Sequence, residues 1–399
     1  MNIIFISATC FRSDYDYICK RRKYPLLDSS QKFFDMFLNG YAGREDVSVD
    51  CITVPPISQG TYPDKYVKGN VTQNGNITYH YTAVWNFSVI KSVFAKRSIA
   101  RILKKLIKKY KGNDIKIICD PLLMEGLLPT IKAGKRYKLT TVGFLTDMPS
   151  FADECDEMGS VKRMLYRVYN DKIEKNMGKL DKHIVLTEDM SCVAEGGKPW
   201  LLVDCIVDED MLRDIAPMKR EDKLPHVIYA GKLHREFGLA LLAQAIPQVK
   251  SPCVFDIYGD GNYIDELKAL AEKKDNVKIH GIVPLNDVLS AELSAALLIN
   301  PRTSEGEFTK YSFPSKTAEY MLSGVPVVMF KLPGMSSVYG DYICFAEEET
   351  AESLAARIDA VLSLTDVERS EIGAKAKEFV IQNKNNRHQA QRVLEFIED

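Results

Sequence analysis

Two doubly wound α/β domains in tandem are expected from three features of this chain. Short β-branched runs alternate with helical patterns along both halves, the rhythm of parallel βαβ units. A charged, weakly periodic segment, Val203 to Lys223, separates the halves and reads as a linker region. At 399 residues the chain is also too long for one ordinary hydrophobic core, so two domains of about 200 residues each are expected.

In the first half, strands are expected at Ile3 to Ser7, near Val47 to Val54, and at Ile115 to Cys119, Thr140 to Leu145 and His183 to Leu186. Gly69 to Tyr81 departs from that rhythm, and its Asn-Gly pair between short alternating segments predicts a hairpin or surface loop. AKRSIARILKKLIKKYKG, Ala95 to Gly112, predicts a helix with Ile99, Ile102, Leu103, Leu106 and Ile107 on one face and Lys and Arg on the other. The second half is more regular. HVIYAGKL, CVFDIYGDG, VKIHGIV, AALLINPR, VPVVMF and YICFAE are six strand-like runs, most of them followed by helical patterns. Thr365 caps a helix running to about Gln382, NKNN interrupts, and a last helix extends from about Arg387 to Ile397. Two like-built domains imply a cleft lined by the carboxyl ends of both sheets, where ligands of open α/β sheets bind.

Composition bounds the function. Hydrophobic residues at 46% and charged residues at 27% are those of an ordinary globular protein. No apolar run approaches the ~18 residues needed to span a bilayer, and MNIIFISAT reads as a first strand rather than a signal peptide. The nine cysteines form no CxxC pair and are expected to be buried thiols in a reducing cytosol. The six histidines are scattered, and the acidic pairs Asp14-Asp16 and Asp208-Asp210 stand in loop contexts, so no metal site is expected. No nucleophile elbow surrounds Thr9 or Cys10. Residues 1 to 200 carry 31 Lys and Arg against 22 Asp and Glu, and the remainder carries 22 against 32. The first half therefore suits an anionic surface. Its basic helix is either a lipid-facing element or a core-packing helix with a solvated basic face.

The segment EFTKYSFPSKTAEYMLSGVPVV, Glu307 to Val328, carries the most chemistry. Pro314 suits the first turn of a helix running to Ser323, Ser312 can serve as its N-cap, and Gly324 ends it ahead of a buried strand. The open NH groups from Ser312 to Lys316, with Lys310 and Lys316, make an anion site. Glu319 lies one turn beyond Ser315 on the same face, where a carboxylate can accept both hydroxyls of a ribose.

YAGKLHREFGLALLAQAI, IYGDGNYIDELKALA, VKIHGIVPLNDVLSAELSAALLINPR and FPSKTAEYMLSGVPVV together resemble, in order and spacing, the donor domain of the retaining glycosyltransferase family 4. The resemblance covers roughly Pro225 to Phe330, and the first half is similar only in its βαβ rhythm. It implies a GT-B fold of two Rossmann-like domains: residues 1–203 on the acceptor side, 204–380 binding the nucleotide-sugar, and a helix at 381–399 crossing back to pack on the first domain. Gly231 and Lys232 would hold the diphosphate, Lys232 taking the place of a family arginine. Gly259 and Gly261 would form the Gly-x-Gly turn, Ile282 and Val283 would meet the base, and Lys310, Ser312, Phe313, Pro314, Ser315, Lys316 and Glu319 would complete the donor site. Glu319 matches the second Glu of the family's Glu-x7-Glu pattern. Its first Glu falls on Tyr311, so Glu307 or Glu305 would replace it. The lysine of the GKL turn falls on Phe237, with Arg235 left to carry that charge. The N-terminal Gly-rich loop of many members is absent after Ser7.

Asp147 in TDMPS stands where family members often present a His facing the sugar, and would position a hydroxyl rather than act as nucleophile; alternatively it caps the helix that follows. The activity implied is cytoplasmic, metal-independent and cofactor-free transfer of a sugar from a UDP- or GDP-sugar to a saccharide or lipid-linked acceptor in cell-surface polysaccharide or capsule synthesis. Catalysis would fall to Asp147, Lys232 and Glu307. A peripheral contact with the inner face of an anionic membrane through residues 95–112 and no nucleic-acid partner are also expected. A sugar-nucleotide 2-epimerase of the same fold, or a non-catalytic nucleotide-sugar-binding subunit, are the other readings.

Overall fold

The structure, a computed structural model, describes residues 1–24, 29–151 and 160–399. The chain divides into two compact units, Met1–Ile206 with Asn386–Asp399, and Val207–Asn385. These boundaries lie a few residues beyond the expected 203/204 and 380/381.

Unit 1 begins with β1 (Asn2–Ser7), α1 (Arg12–Lys20), α2 (Ser29–Asn39) and β2 (Ser48–Thr53). A β-rich insertion follows: β3 (Tyr66–Val67), β4 (Val71–Asn74), β5 (Ile77–Tyr81) and β6 (Val84–Trp85). Then come α3 (Ser88–Lys109), β7 (Ile115–Cys119), α4 (Met124–Tyr137), β8 (Thr140–Phe144), α5 (Ser160–Met177), β9 (Lys182–Val185) and β10 (Trp200–Leu202). The main sheet runs β10-β9-β8-β7-β1-β2-β5-β4, parallel throughout except for β4 against β5. β1 lies at its centre, Phe5 pairing in register with Cys51 on one side and Ile118 on the other. Both faces of such a sheet are covered, which is why its strands read as near-continuous apolar runs.

The hairpin expected near Gly69 to Tyr81 forms, but it is not a surface loop. β5 joins the main sheet parallel to β2, with Val49 paired to Ile77. The turn is Gly75-Asn76 rather than Asn-Gly, with Gly75 at φ +57°, a sign that suits the first central position of a tight hairpin turn. The expected linker also differs at its start. Val203, Cys205 and Ile206 are buried, because the chain is still in the first unit here, with Val203 and Ile206 in its core.

α3 begins at Ser88, seven residues earlier than the basic segment suggested. Ile99, Leu103, Leu106 and Ile107 are buried and Ile102 is half-buried, so the apolar stripe packs on the core and the basic face meets solvent.

Unit 2 contains β11 (His226–Ala230), α6 (Leu239–Ala245), β12 (Val254–Tyr258), α7 (Ile264–Ala271), β13 (Val277–Gly281), α8 (Leu285–Leu293), β14 (Leu297–Asn300), α9 (Ser315–Ser323), β15 (Val327–Phe330), β16 (Cys344–Ala346), α10 (Ala351–Leu362) and α11 (Asp366–Asn383). All six expected strands lie in one parallel sheet ordered β13-β12-β11-β14-β15-β16. α11 opens on a capping box in which Thr365 and Glu368 bond reciprocally.

The last helix, α12 (Asn386–Glu398), packs in unit 1 beside α2, burying Ala390, Val393, Leu394 and Ile397 in that unit's core. Gln389 Nε2 donates to the Cys205 carbonyl at 3.1 Å, and Lys182 Nζ to that of Phe396 at 2.7 Å. Among the described residues no helix is long and apolar enough to cross a membrane. Most of the described thiols are buried or half-buried, as expected, but Cys192 is exposed on a short 3-10 turn.

Candidate functional site

Counted along the unit 2 sheet, the strand order is 3-2-1-4-5-6, and its direction of winding reverses between β11 and β14. Helices leaving neighbouring strands to opposite faces open a crevice at such a point, beyond the carboxyl ends. The residues found there are Gly231 and Lys232 after β11, and Pro301 and Arg302 after β14.

Two glycine turns form the floor. Gly231 N donates to the Tyr258 carbonyl at 3.0 Å, Leu233 N to that of Asp260 at 2.9 Å, and Tyr263 N to that of Leu233 at 2.8 Å, so the turns after β11 and β12 are laced together. Gly259 sits at φ +129°, and a Cβ there would fall 1.8 Å from the Gly231 carbonyl oxygen. No other residue type allows that approach. Gly238, at φ +81°, is held likewise against the Pro301 carbonyl, which brings the first turn to the end of β14. Lys232 is exposed, and its side chain makes no ion pair or hydrogen bond with another of the described residues. It is therefore placed to meet an incoming anion.

α9 is fixed to the same edge by Tyr320, whose buried hydroxyl accepts from Ala230 N at 2.8 Å and donates to the Ala230 carbonyl at 3.2 Å. Asn300 Nδ2 donates to Thr317 Oγ1 at 3.0 Å, securing the helix to β14 as well. The helix starts at Ser315, with Pro314 at the cap position and no side-chain cap bond. Ser312 is thus not the N-cap that the sequence suggested. It lies two residues before that position, too far to reach the first-turn amides, and its Oγ instead accepts from Arg302 Nη2 at 3.2 Å. Phe313 and Pro314 are buried, the Phe313 ring lying 5.2 Å from that of Tyr339, so only their main chain can face a ligand.

Lys316 is shared by two carboxylates, Glu292 Oε1 on α8 at 3.0 Å and Glu319 Oε2 at 3.4 Å. Burial works to lower its pKa, but Glu319 and Glu292 outweigh that and raise it, keeping the ammonium charged. The expected free anion-binding role of Lys316 is thus modified: its charge is already balanced, and the trio carries a net negative charge. Such a trio suits hydroxyl groups better than phosphate. The carboxylate of Glu319 is mostly buried, in an orientation constrained by the ammonium.

Sequence reasoning overlooked Arg302. Its guanidinium lies over the rings of Phe237, 5.5 Å from the centroid, and Phe308, 5.2 Å away. It brings a second cation to the crevice, next to the residue that stands in place of the family's lysine. The signal was present in LLINPR, a strand ending in a cation, but its importance depends on β14 lying beside β11.

Residues 224–364, running from the start of β11 through α10, match the family described as Glycosyl transferases group 1. Unit 2 carries a glycosyltransferase group 1 domain. Solved structures extend the likeness of fold to the whole chain. Sucrose-phosphate synthase from Thermosynechococcus elongatus covers 100% of this chain and 98% of its own, at TM-score 0.68 and 14% identity. The lipopolysaccharide outer core galactosyltransferase WaaB covers 100% and 99%, at 0.61 and 14%. Anabaena Alr3699/HepE, solved in complex with UDP, covers 100% and 100%, at 0.58 and 14%. Comparison with curated protein sequences finds no significant match. The chain is a glycosyltransferase of GT-B fold, built from two Rossmann-like units.

The remaining residues of the glycosyltransferase are placed as follows. Glu307 and Lys310 lie on a 3-10 turn, Glu307–Tyr311, with the Glu307 side chain 77% exposed and its Oε1 3.8 Å from Lys310 Nζ. Glu305 is exposed beside it. Thr309 Oγ1 donates to the Ser304 and Gly306 carbonyls, so this segment is a compact turn. Ser315 is exposed at the first position of α9. Gly261 follows Gly259 in the second turn, where its own approach to Leu233 and His234 leaves no space for a side chain. Arg235 is exposed, its main-chain NH bound to Asn262 Oδ1 at 3.0 Å. Ile282, just past β13, is 80% exposed, with Val283 half-buried next to it and His280 stacked on Tyr258 at 4.3 Å. An isoleucine so exposed at a carboxyl edge offers an apolar surface to a planar ligand. In unit 1, Asp147 is exposed at the carboxyl end of β8, and its Oδ1 accepts from Met148 N at 2.8 Å.

Proposed function

We propose that this glycosyltransferase is a retaining enzyme of family 4 type. It moves a hexose from a UDP- or GDP-sugar to a saccharide or lipid-linked saccharide during synthesis of a cell-surface polysaccharide such as a capsule. It needs neither a metal ion nor a resident cofactor, and works in the cytoplasm at the inner face of an anionic membrane, with the basic helix around 95–112 toward the lipid. The observation carrying this reading is that Tyr320 bonds the first turns of α9 to the end of β11. That bond brings Glu319 and Lys316 to the turn that bears Lys232.

In this reading Glu319 accepts the two ribose hydroxyls. Lys232, Arg302 and the open amides around Ser315 meet the diphosphate, whose charge grows as the glycosidic bond breaks. Ile282 and Val283 border the base, and Gly231, Gly259 and Gly261 let the main chain come close. Glu307 and Lys310 border the sugar, with Arg235 nearby. In a retaining transfer the acceptor arrives on the face that the diphosphate leaves, so the departing oxygen can take the acceptor's proton. Asp147 then has only to orient the hydroxyl. The UDP bound in the Anabaena structure and the lipopolysaccharide acceptor of WaaB, proteins of the same fold, support a nucleotide diphosphate donor and a lipid-linked saccharide acceptor.

The test is a thermal-shift screen of nucleotide-sugars, followed by transfer assays with and without a chelator. A ligand at about 100 times its dissociation constant should add ~2.7 kcal/mol of stability. A flat response to every UDP- and GDP-sugar would overturn the donor reading, and activity abolished by chelator would overturn the metal-free one.

A further inference from the structure

Unit 1 exposes bulky apolar side chains where two of its helices begin. Ile90, Val93 and Phe94 of α3, and Met164, Leu165 and Val168 of α5, are between 41% and 66% exposed. The two groups belong to one region. Lys91 Nζ donates to the carbonyl of Ile57, just beyond the carboxyl end of β2, which places the start of α3 at that edge of the sheet. α4, leaving the carboxyl end of β7, packs between α3 and α5. Its first turn is tied to α5 through Tyr169, whose hydroxyl donates to Glu125 Oε2 at 2.9 Å and accepts from Met124 N at 3.1 Å.

Further along the exposed face of α3 the side chains turn cationic, with Arg97, Arg101, Lys104, Lys105 and Lys108 all in solvent. The 22 residues of this helix include eight Lys and Arg and no acid. Arg163 and Arg167 flank the apolar side chains of α5. Trp85, also exposed, stands just ahead of α3, with its ring 4.8 Å from that of Tyr66. A protein partner would need an acidic surface shaped to these residues. An anionic bilayer needs no such shape: apolar tips enter the acyl boundary, aromatic rings sit among the headgroups, and the basic flank of α3, which carries no acid, meets the lipid charge.

We infer that the first turns of α3 and α5 form a membrane-docking face, apolar at its tip and basic along its flank, that seats unit 1 on anionic lipid by the carboxyl edge of its sheet. The inference locates the membrane contact of the proposed function and rests on that reading only for its purpose, presentation of a lipid-linked acceptor. Residues 90–94 are the part of α3 that enters lipid, while Ile99, Leu103, Leu106 and Ile107 further along are buried in the core.

The experiment is co-sedimentation of the full chain with vesicles of phosphatidylcholine alone and of phosphatidylcholine with phosphatidylglycerol, at low and high salt. Binding is expected only to the anionic vesicles and should weaken about tenfold or more on raising salt. The pairs Val93→Glu/Phe94→Glu and Met164→Glu/Leu165→Glu should each lower it about tenfold, and Arg97→Gln/Arg101→Gln should flatten its salt dependence. Circular dichroism and the thermal response to nucleotide, read on the same proteins, show that the variants are folded. Failure of the parent chain to bind anionic vesicles at low salt overturns the inference, as does full binding by both Glu pairs. A self-association that the Glu pairs abolish, without vesicle binding by the parent, would also overturn it and assign the face to a second copy. Vesicle binding without any nucleotide response would sink the proposed donor chemistry and leave the docking face standing.

Discussion

Asp256 Oδ1 accepts a hydrogen bond from His280 Nε2 at 2.7 Å, across the pairing of β12 with β13. Its other oxygen is bound by His226 Nδ1 at 2.5 Å and by Arg220 Nη1 at 3.2 Å. Unit 1 repeats the arrangement between β2 and β5, where Asp50 Oδ1 lies 2.6 Å from His80 Nε2. In both units the histidine stands two residues beyond the in-register partner of the aspartate, Lys278 or Thr78. These buried carboxylates join parallel strands by side-chain bonds in addition to the main-chain ladder.

Acid should unfold the enzyme partly through these groups. Burial works to raise the Asp256 carboxyl, but bonds from His280 and His226, with the Arg220 charge, outweigh it and hold it below its ordinary value. A carboxyl depressed in the folded state stabilises above the unfolded value, near 4, and that stabilisation fades as pH falls through the folded value. Asp256→Asn should cost on the order of 3 kcal/mol at neutral pH. The difference in urea midpoint from the parent should hold down to about pH 5 and shrink below about pH 4. A gap that persists undiminished at about pH 3 would refute the assignment.

Gly259→Ala tests the floor of the crevice. With φ at +129° and the Gly231 carbonyl in the way, the substitution should cost more than about 2 kcal/mol in chemical unfolding and weaken nucleotide binding. Unchanged values for both would mean the two turns separate easily.

Glu319→Ala should weaken nucleotide diphosphate binding roughly 10- to 100-fold, the worth of hydrogen bonds to a charged acceptor, while Glu292 keeps Lys316 paired. Calorimetry with a 2′,3′-dideoxy nucleotide provides the control. If Glu319 holds the ribose, that ligand should bind the parent and Glu319→Ala about equally, and a full loss with both nucleotides would place Glu319 elsewhere.

Arg302→Ala should reduce donor affinity about tenfold. Arg302→Lys should recover little, since an ammonium cannot stack as a guanidinium does between Phe237 and Phe308 while reaching Ser312. Adding Phe237→Lys to Arg302→Ala should restore part of the affinity by returning a cation to the turn. Donor binding indifferent to Arg302→Ala would remove the residue from the site.

The strands that could be read from the chain, such as Ile115 to Cys119 or those opening the second unit, are buried on both faces, and a run of β-branched residues is the direct mark of that burial. β5 escaped this test because Thr78 and His80 interrupt its apolar residues, and its partner β2 lies far upstream. The start of α3 was missed because Ile90, Val93 and Phe94 face solvent and so break the amphipathic period. Within the candidate site, Glu319 could be picked out from helix spacing, whereas Gly231 and Gly259 entered only through the resemblance of their turns to a known family. Arg302 and the Asp–His pairs could not be picked out, since strand order alone makes their neighbours. Ser312 was misassigned as a cap because the cap position falls two residues later.

The return of α12 to the first unit has a consequence for synthesis. Unit 2 is continuous, from Val207 to Asn385, whereas unit 1 draws on two stretches of chain separated by the whole of unit 2. On the ribosome the second-translated unit can therefore close first, while the first waits with the seat for Val393, Leu394 and Ile397 unfilled. Completion of the first unit's core thus comes after synthesis of the whole second unit.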